Sequence, residues 1–191
     1  MTGRRSDPSH ELDVGALSRP ELQAALNDAG VLLNDAAEVL LANAAFDRQT
    51  RDRFVVVERT VRQLGFESGA VLSAIFARAS RLGLSLCPPT TGPYLRVAVM
   101  DQESAPDSIM SKGSAPSASI TVASAPLVSD DEYPKGFYLR VVEGVPWLRG
   151  YWTGDEHVWA PDDCFAFRQA EVSRRRHLER LDQPQVKQGT R

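Results

Sequence analysis

The apolar positions recur at helical spacing in the first half of the chain and alternate, as in strands, in much of the second. Residues 1–16 are polar, carry Pro and Gly without a period, and are expected to form a mobile tail. Ser18 followed by Glu21 is a capping-box pattern, and Leu17 with Leu22 is spaced as a hydrophobic staple, so a helix is expected over residues 19–29. Gly30 ends it by taking a left-handed conformation at little cost. Asn34 then caps a second helix on which Ala37, Leu40, Leu41 and Ala44 share a face. The two are expected to form a helical hairpin. Phe54-Val55-Val56-Val57 reads as a buried strand. Ser68 is expected to cap a third helix that aligns Leu72, Ile75, Phe76, Ala79 and Leu82 before Gly83 stops it.

Shorter signals follow. Residues 84–87 form a strand that Pro88-Pro89 terminates, and residues 94–100 alternate as another strand. Residues 101–117, rich in Ser, Ala, Pro and charge, are expected to be a mobile loop. Strands are expected at 120–122, 137–142 and 145–152, the last two joined by Glu143-Gly144, a two-residue hairpin connection. His157 to Trp159 joins the sheet, a turn follows at Ala160-Pro161-Asp162-Asp163, and Cys164 to Arg168 closes it. The fold class is therefore α+β: a helical hairpin and a third helix packed on a mainly antiparallel, aromatic-rich sheet. Residues 17–168 make one domain, helical over 17–83 and mainly β over 84–168. Residues 169–191 form a basic C-terminal segment, partly helical or disordered.

Composition narrows the function classes. With 191 residues, 42% of them apolar and 25% charged, the chain can bury one good core. A formal charge of -3 argues against coating nucleic acid through the net field. No apolar run reaches the length that crosses a bilayer and no apolar stretch follows the first arginines, so a cytoplasmic protein without a membrane partner is expected. Cys87 and Cys164 stand far apart and read as reduced thiols; no pair of His or Cys sits at zinc-ligand spacing, and no cofactor is expected. Neither a phosphate-cradling glycine loop nor a G-x-S-x-G elbow is present.

Leu86-Cys87-Pro88, Gly92-Pro93-Tyr94-Leu95-Arg96 and Asp101-Gln102, with Trp159-Ala160-Pro161-Asp162-Asp163 and Phe165-Ala166-Phe167 near the end, carry a resemblance. On these residues the chain resembles a group of uncharacterised bacterial proteins over residues 54–168. The resemblance implies one continuous folded unit and no activity. The Ser/Ala/Pro-rich segment after Gln102 departs from it by its length.

Three sets of residues carry candidate chemistry. Asp155, Glu156 and His157, with Asp162, Asp163 and Cys164, are the densest reactive cluster, and an acid–base site of a hydrolase or nuclease would be built there. Neighbouring carboxylates on a strand point apart, however, and Asp-rich turns are common. Trp147, Tyr151, Trp152 and Trp159 are more aromatic rings than one small sheet readily buries, and they are candidate anchors for a protein partner. Alternation puts Trp147 and Tyr151 on one face of their strand, Leu148 and Trp152 on the other. Arg174, Arg175 and Arg176 make the C-terminal segment a candidate contact for nucleic acid or an acidic partner. Protein interaction through an aromatic sheet face needs only features that the sequence displays, and it is the preferred expectation.

Overall fold

The computed structural model describes residues 8–104 and 118–170. The elements run β1 (Ser9–Val14), α1 (Arg19–Asp28), β2 (Leu32–Leu33), α2 (Asp35–Leu41), β3 (Asp52–Thr60), β4 (Ala70–Val71), α3 (Leu72–Arg81), β5 (Leu84–Ser85), α4 (Thr91–Ala98), β6 (Ile120–Val122), β7 (Gly136–Val142), β8 (Val145–Tyr151), β9 (Val158–Trp159) and β10 (Cys164–Gln169). The main sheet has the order β1-β3-β10-β6-β7-β8-β2, with β5 paired to the end of β10. It is mixed: most ladders are antiparallel, but β10 pairs with β6, and β2 with β8, in parallel. The class is thus α+β, and the large sheet is mainly antiparallel, made mixed by those two parallel ladders.

Alternation along the strands feeds two cores on opposite faces. Ala166 faces one side with Val56, Val122, Phe137, Leu139 and Leu148, where α1, α2 and α4 contribute Leu22, Leu26, Leu40, Leu41, Leu95 and Val99. Phe165 and Phe167 face the other side, where α3 lays Ile75 and Ala79 on them and Phe76 meets both rings edge-on. Each large side chain buried this way contributes about 1.5–3 kcal/mol before entropy is counted. Leu72, Ile75, Phe76 and Ala79 of the expected stripe thus pack on this side of the sheet, whereas Leu82 is 48% exposed.

Four expectations change. Residues 9–14, assigned to the tail, form edge strand β1, because Leu12 and Val14 alternate inward while Glu11 and Asp13 pair across the ladder with Arg53 and Arg51 at 2.8 and 3.0 Å. Between α1 and α2 the chain makes β2, and α1 packs on α4 while α2 packs on β8, so the first two helices belong to separate contacts instead of a hairpin. Residues 94–100, read as a strand, are mostly in α4: Leu95 and Val99, four apart, are both buried, whereas Val97 between them is 36% exposed. Pro93 lies in the first turn, where no intrahelical N–H is needed. The third helix starts at Leu72 and is not capped by Ser68, because Ala70–Val71 pairs with Val158–Trp159 in a separate two-stranded ladder. That same pairing takes Trp159 out of the main sheet.

The Glu143-Gly144 connection is as expected, with both residues at positive φ (53° and 78°), the conformation that matches the twist of the flanking strands. The residues that carry the resemblance form a clamp. Buried Arg96 on α4 donates to Gln102 Oε1 at 2.7 Å and to the carbonyl of Val99, and Gln102 Nε2 donates to the carbonyls of Ala118 and Leu139 at 2.8 and 3.3 Å. Helix α4 is thereby tied to β6 and β7. Burial lowers the pKa of Arg96 to about 10, with Asp101 opposing that shift. Among the described residues no helix is long and apolar enough to cross a membrane.

Candidate functional site

The four aromatic candidates separate by exposure. Trp159 is buried, 4% exposed, with Phe165 at 4.8 Å, Tyr151 at 5.9 Å and His157 at 5.1 Å between ring centroids. Tyr151 lies between Trp159 and Tyr138, and burial raises the pKa of its hydroxyl well above the usual phenolic value. Trp147 is half-buried under the guanidinium of Arg149, 4.2 Å from the ring centroid. Trp152 is 55% exposed. Its indole is nevertheless held, since Nε1 donates to the carbonyl of Glu132 at 3.1 Å.

The pairing of Gly136 with Tyr151 sets the segment before β7 beside the end of β8, which is why Glu132 reaches Trp152. There Asp131, Trp152, Thr153, Gly154 and Asp155 line an open depression of about 440 Å³. Asp131 and Asp155 are on its lining, and Asp130, Glu132 and Glu156 are exposed next to them in the same two segments. Lys135 pairs with Asp131 at 2.5 Å and holds that carboxyl below its usual range. Five carboxylates against one ammonium leave the rim negative. Such a rim beside a fixed indole favours a cation over the ring face.

The acidic turn is not one constellation. Asp155 lines the depression just described and Glu156 is exposed beside it, while the His157 ring rests on Trp159. Asp162 pairs with Arg62 at 3.1 Å, and Asp163 accepts from the Ala160 amide at 2.7 Å. Burial raises the pKa of Asp163. The Cys164 thiol is pushed up to about 12 by burial and by the charge of Glu58, and it therefore stays protonated near neutral pH. Among the described residues, no three His, Cys, Asp or Glu side chains are arranged to hold a metal ion. Arg174, Arg175 and Arg176 lie outside the described residues.

Sequence reasoning missed a second cavity, of about 410 Å³, at the other end of the sheet. His10, Glu58, Asp101, Gln102 and Cys164 line it. Glu58 stands between His10, with Nε2 to Oε1 at 3.5 Å, and the Cys164 thiol, 3.9 Å from Oε2. Burial raises the pKa of Glu58 above its ordinary value, and His10 opposes that shift. His10 and Glu58 meet only through the β1–β3 register, so no local signal joined them. Asp131 and Glu132 were missed for the same reason, although the acidic balance of residues 101–163 pointed in their direction. No protein-family model, curated protein or solved structure matches this chain.

Proposed function

We propose that this protein is an interaction module whose docking point is Trp152 and whose partner is a basic segment of another protein. The observation that carries the reading is an exposed indole, fixed by its own hydrogen bond, in a depression lined by Asp131 and Asp155 and formed by two acidic segments. An arginine or lysine laid on that ring gains cation–π and apolar contact together with the field of the rim, and the indole is already ordered before the partner arrives. Of the other three aromatic candidates, Tyr151 and Trp159 pack on each other within the fold, and Trp147 is half-buried under Arg149.

The experiment is an isothermal titration of the full chain with an Arg/Lys-rich decapeptide. Trp152→Ala is expected to weaken binding by about 2 kcal/mol, roughly thirtyfold, as for a true anchor. Its thermal midpoint should stay close to that of the parent. An unchanged affinity in Trp152→Ala overturns the proposal.

One observation favours a second reading, acid–base catalysis of the hydrolase or nuclease kind. Glu58, with a raised pKa, faces an imidazole inside a cavity, and perturbed carboxyls in cavities often act as general acids or bases. It predicts turnover of simple esters or phosphoesters that Glu58→Gln abolishes without unfolding the protein.

A further inference from the structure

The negative depression at Trp152 and the end of strand β10, after which the arginine-rich sequence follows, lie at the same end of the sheet. The register shows it. Gly136 pairs with Tyr151, Thr121 with Tyr138, and Ala166 with Val122. Carrying those pairings one step further sets Gly136 level with Phe167 and Trp152 level with Arg168, where β10 itself pairs with Ser85 of β5. Strand β10 ends at Gln169, one residue past that level. Between β10 and β8 lie three strand spacings of about 4.8 Å, and β5 beside the end of β10 adds a fourth at that level, roughly 14–19 Å in all. Six residues beyond Ala170 span at most about 20 Å, so the backbone can bring Arg176 to the indole with Arg174 and Arg175 just before it.

We propose that residues 171–180 of this chain dock on the Trp152 depression and compete with the basic partner for it. The proposal rests on the reading of that face as a docking surface for cations. Charge selects this occupant: Arg174, Arg175, Arg176, His177 and Arg180 are concentrated in the sequence that follows β10, and the depression is lined by Asp131 and Asp155 with Asp130, Glu132 and Glu156 exposed in the same segments. The intervening Glu171 and Glu179 flank the arginine run and do not interrupt it. Tethering makes a weak contact count. A short linker gives an effective concentration in the millimolar range, so a segment of millimolar intrinsic affinity covers the depression about half the time. Removing its charge should then tighten the binding of an external basic peptide about twofold.

The test uses the full chain with a nitroxide on His177→Cys, because Cys87 and Cys164, both with thiol pKa values raised to about 12, react slowly with the label. The labelled parent sequence supplies the background. Docking predicts selective broadening of the Trp152 indole N–H, and loss of that broadening in the Arg174→Glu, Arg175→Glu, Arg176→Glu chain and in about 1 M salt, where the Debye length is about 3 Å. Reach without docking leaves the broadening equal in both chains, and that result overturns the proposal. The same samples, titrated with the decapeptide, separate the two readings. Peptide binding to Trp152 without charge-dependent broadening removes self-docking and keeps the partner face. Charge-dependent broadening without peptide binding keeps self-docking and removes the partner.

Discussion

Gly92→Ala sets two opposed effects against each other at one atom. Gly92 is in α4, where alanine is intrinsically preferred to glycine by about 1 kcal/mol. A Cβ built on Gly92, however, would stand 2.5 Å from Cβ, 2.5 Å from Cγ and 2.7 Å from Cδ2 of Phe137. Ordinary carbon contacts begin near 3.5 Å, so a gap of about 1 Å must open. Phe137 cannot yield cheaply. Its Cβ is fixed to the buried strand β7, and its ring is held edge-on by Phe46 at 6.1 Å. Overpacking of this kind costs about 1–3 kcal/mol, and here the clash involves three atoms close to the backbone, so the upper part of the range applies. The net expectation is destabilisation of about 1–2 kcal/mol, which in a domain of this size lowers the midpoint by roughly 2–8 °C. Urea unfolding is the assay, with the midpoint shifted down and the slope unchanged. Adding Phe137→Leu to Gly92→Ala should recover part of the loss. A Gly92→Ala protein as stable as the parent, or more stable, refutes the close approach of α4 to β7.

Three further outcomes are expected. Gln102→Ala should destabilise by about 2–3 kcal/mol in chemical denaturation, because it leaves buried Arg96 short of an acceptor and frees the Ala118 and Leu139 carbonyls. For Glu58 the folded pKa lies above the ordinary 4.5, so the native state holds a proton over a window where the unfolded chain has lost it. Stability attributable to Glu58 therefore falls as pH rises from about 4.5 through the raised value, and Glu58→Gln should flatten that part of a stability–pH profile. Trp159→Ala should cost about 3–5 kcal/mol by thermal or urea unfolding, whereas Trp152→Ala should cost less than about 1 kcal/mol.

What could be read from the sequence was short-range. The box at Ser18 and Glu21, the Asn34 cap and the Glu143-Gly144 turn each depend on residues within four positions, and all three are in place. The parallel pairings of β2 with β8 and β6 with β10 join segments far apart in the chain, for which period-two alternation gives no partner. Strand β1 has only two inward apolar residues, too few to stand out, and is made a strand by β3 beside it. In 94–100 both periods fitted a short run, and the burial of Val99 four residues after Leu95 decides for the helix. The site divides along the same line. Exposure of one tryptophan among three followed from crowding, but which one depended on β4 folding over Trp159 and on Glu132 reaching Trp152. The pair His10 and Glu58 was illegible for as long as residues 9–14 were read as a tail.

The central claim is that Trp152, and charge around it, make the docking point. It is tested most directly by following the indole N–H signals of Trp147, Trp152 and Trp159 while the full chain is titrated with two decapeptides of equal length, one basic and one acidic. The account predicts that the basic peptide moves the Trp152 signal, with the amides of Asp131 and Asp155, and leaves Trp159 in place, and that the acidic peptide moves none of them. Equal responses to both peptides, or a response confined to residues away from Trp152, would contradict it.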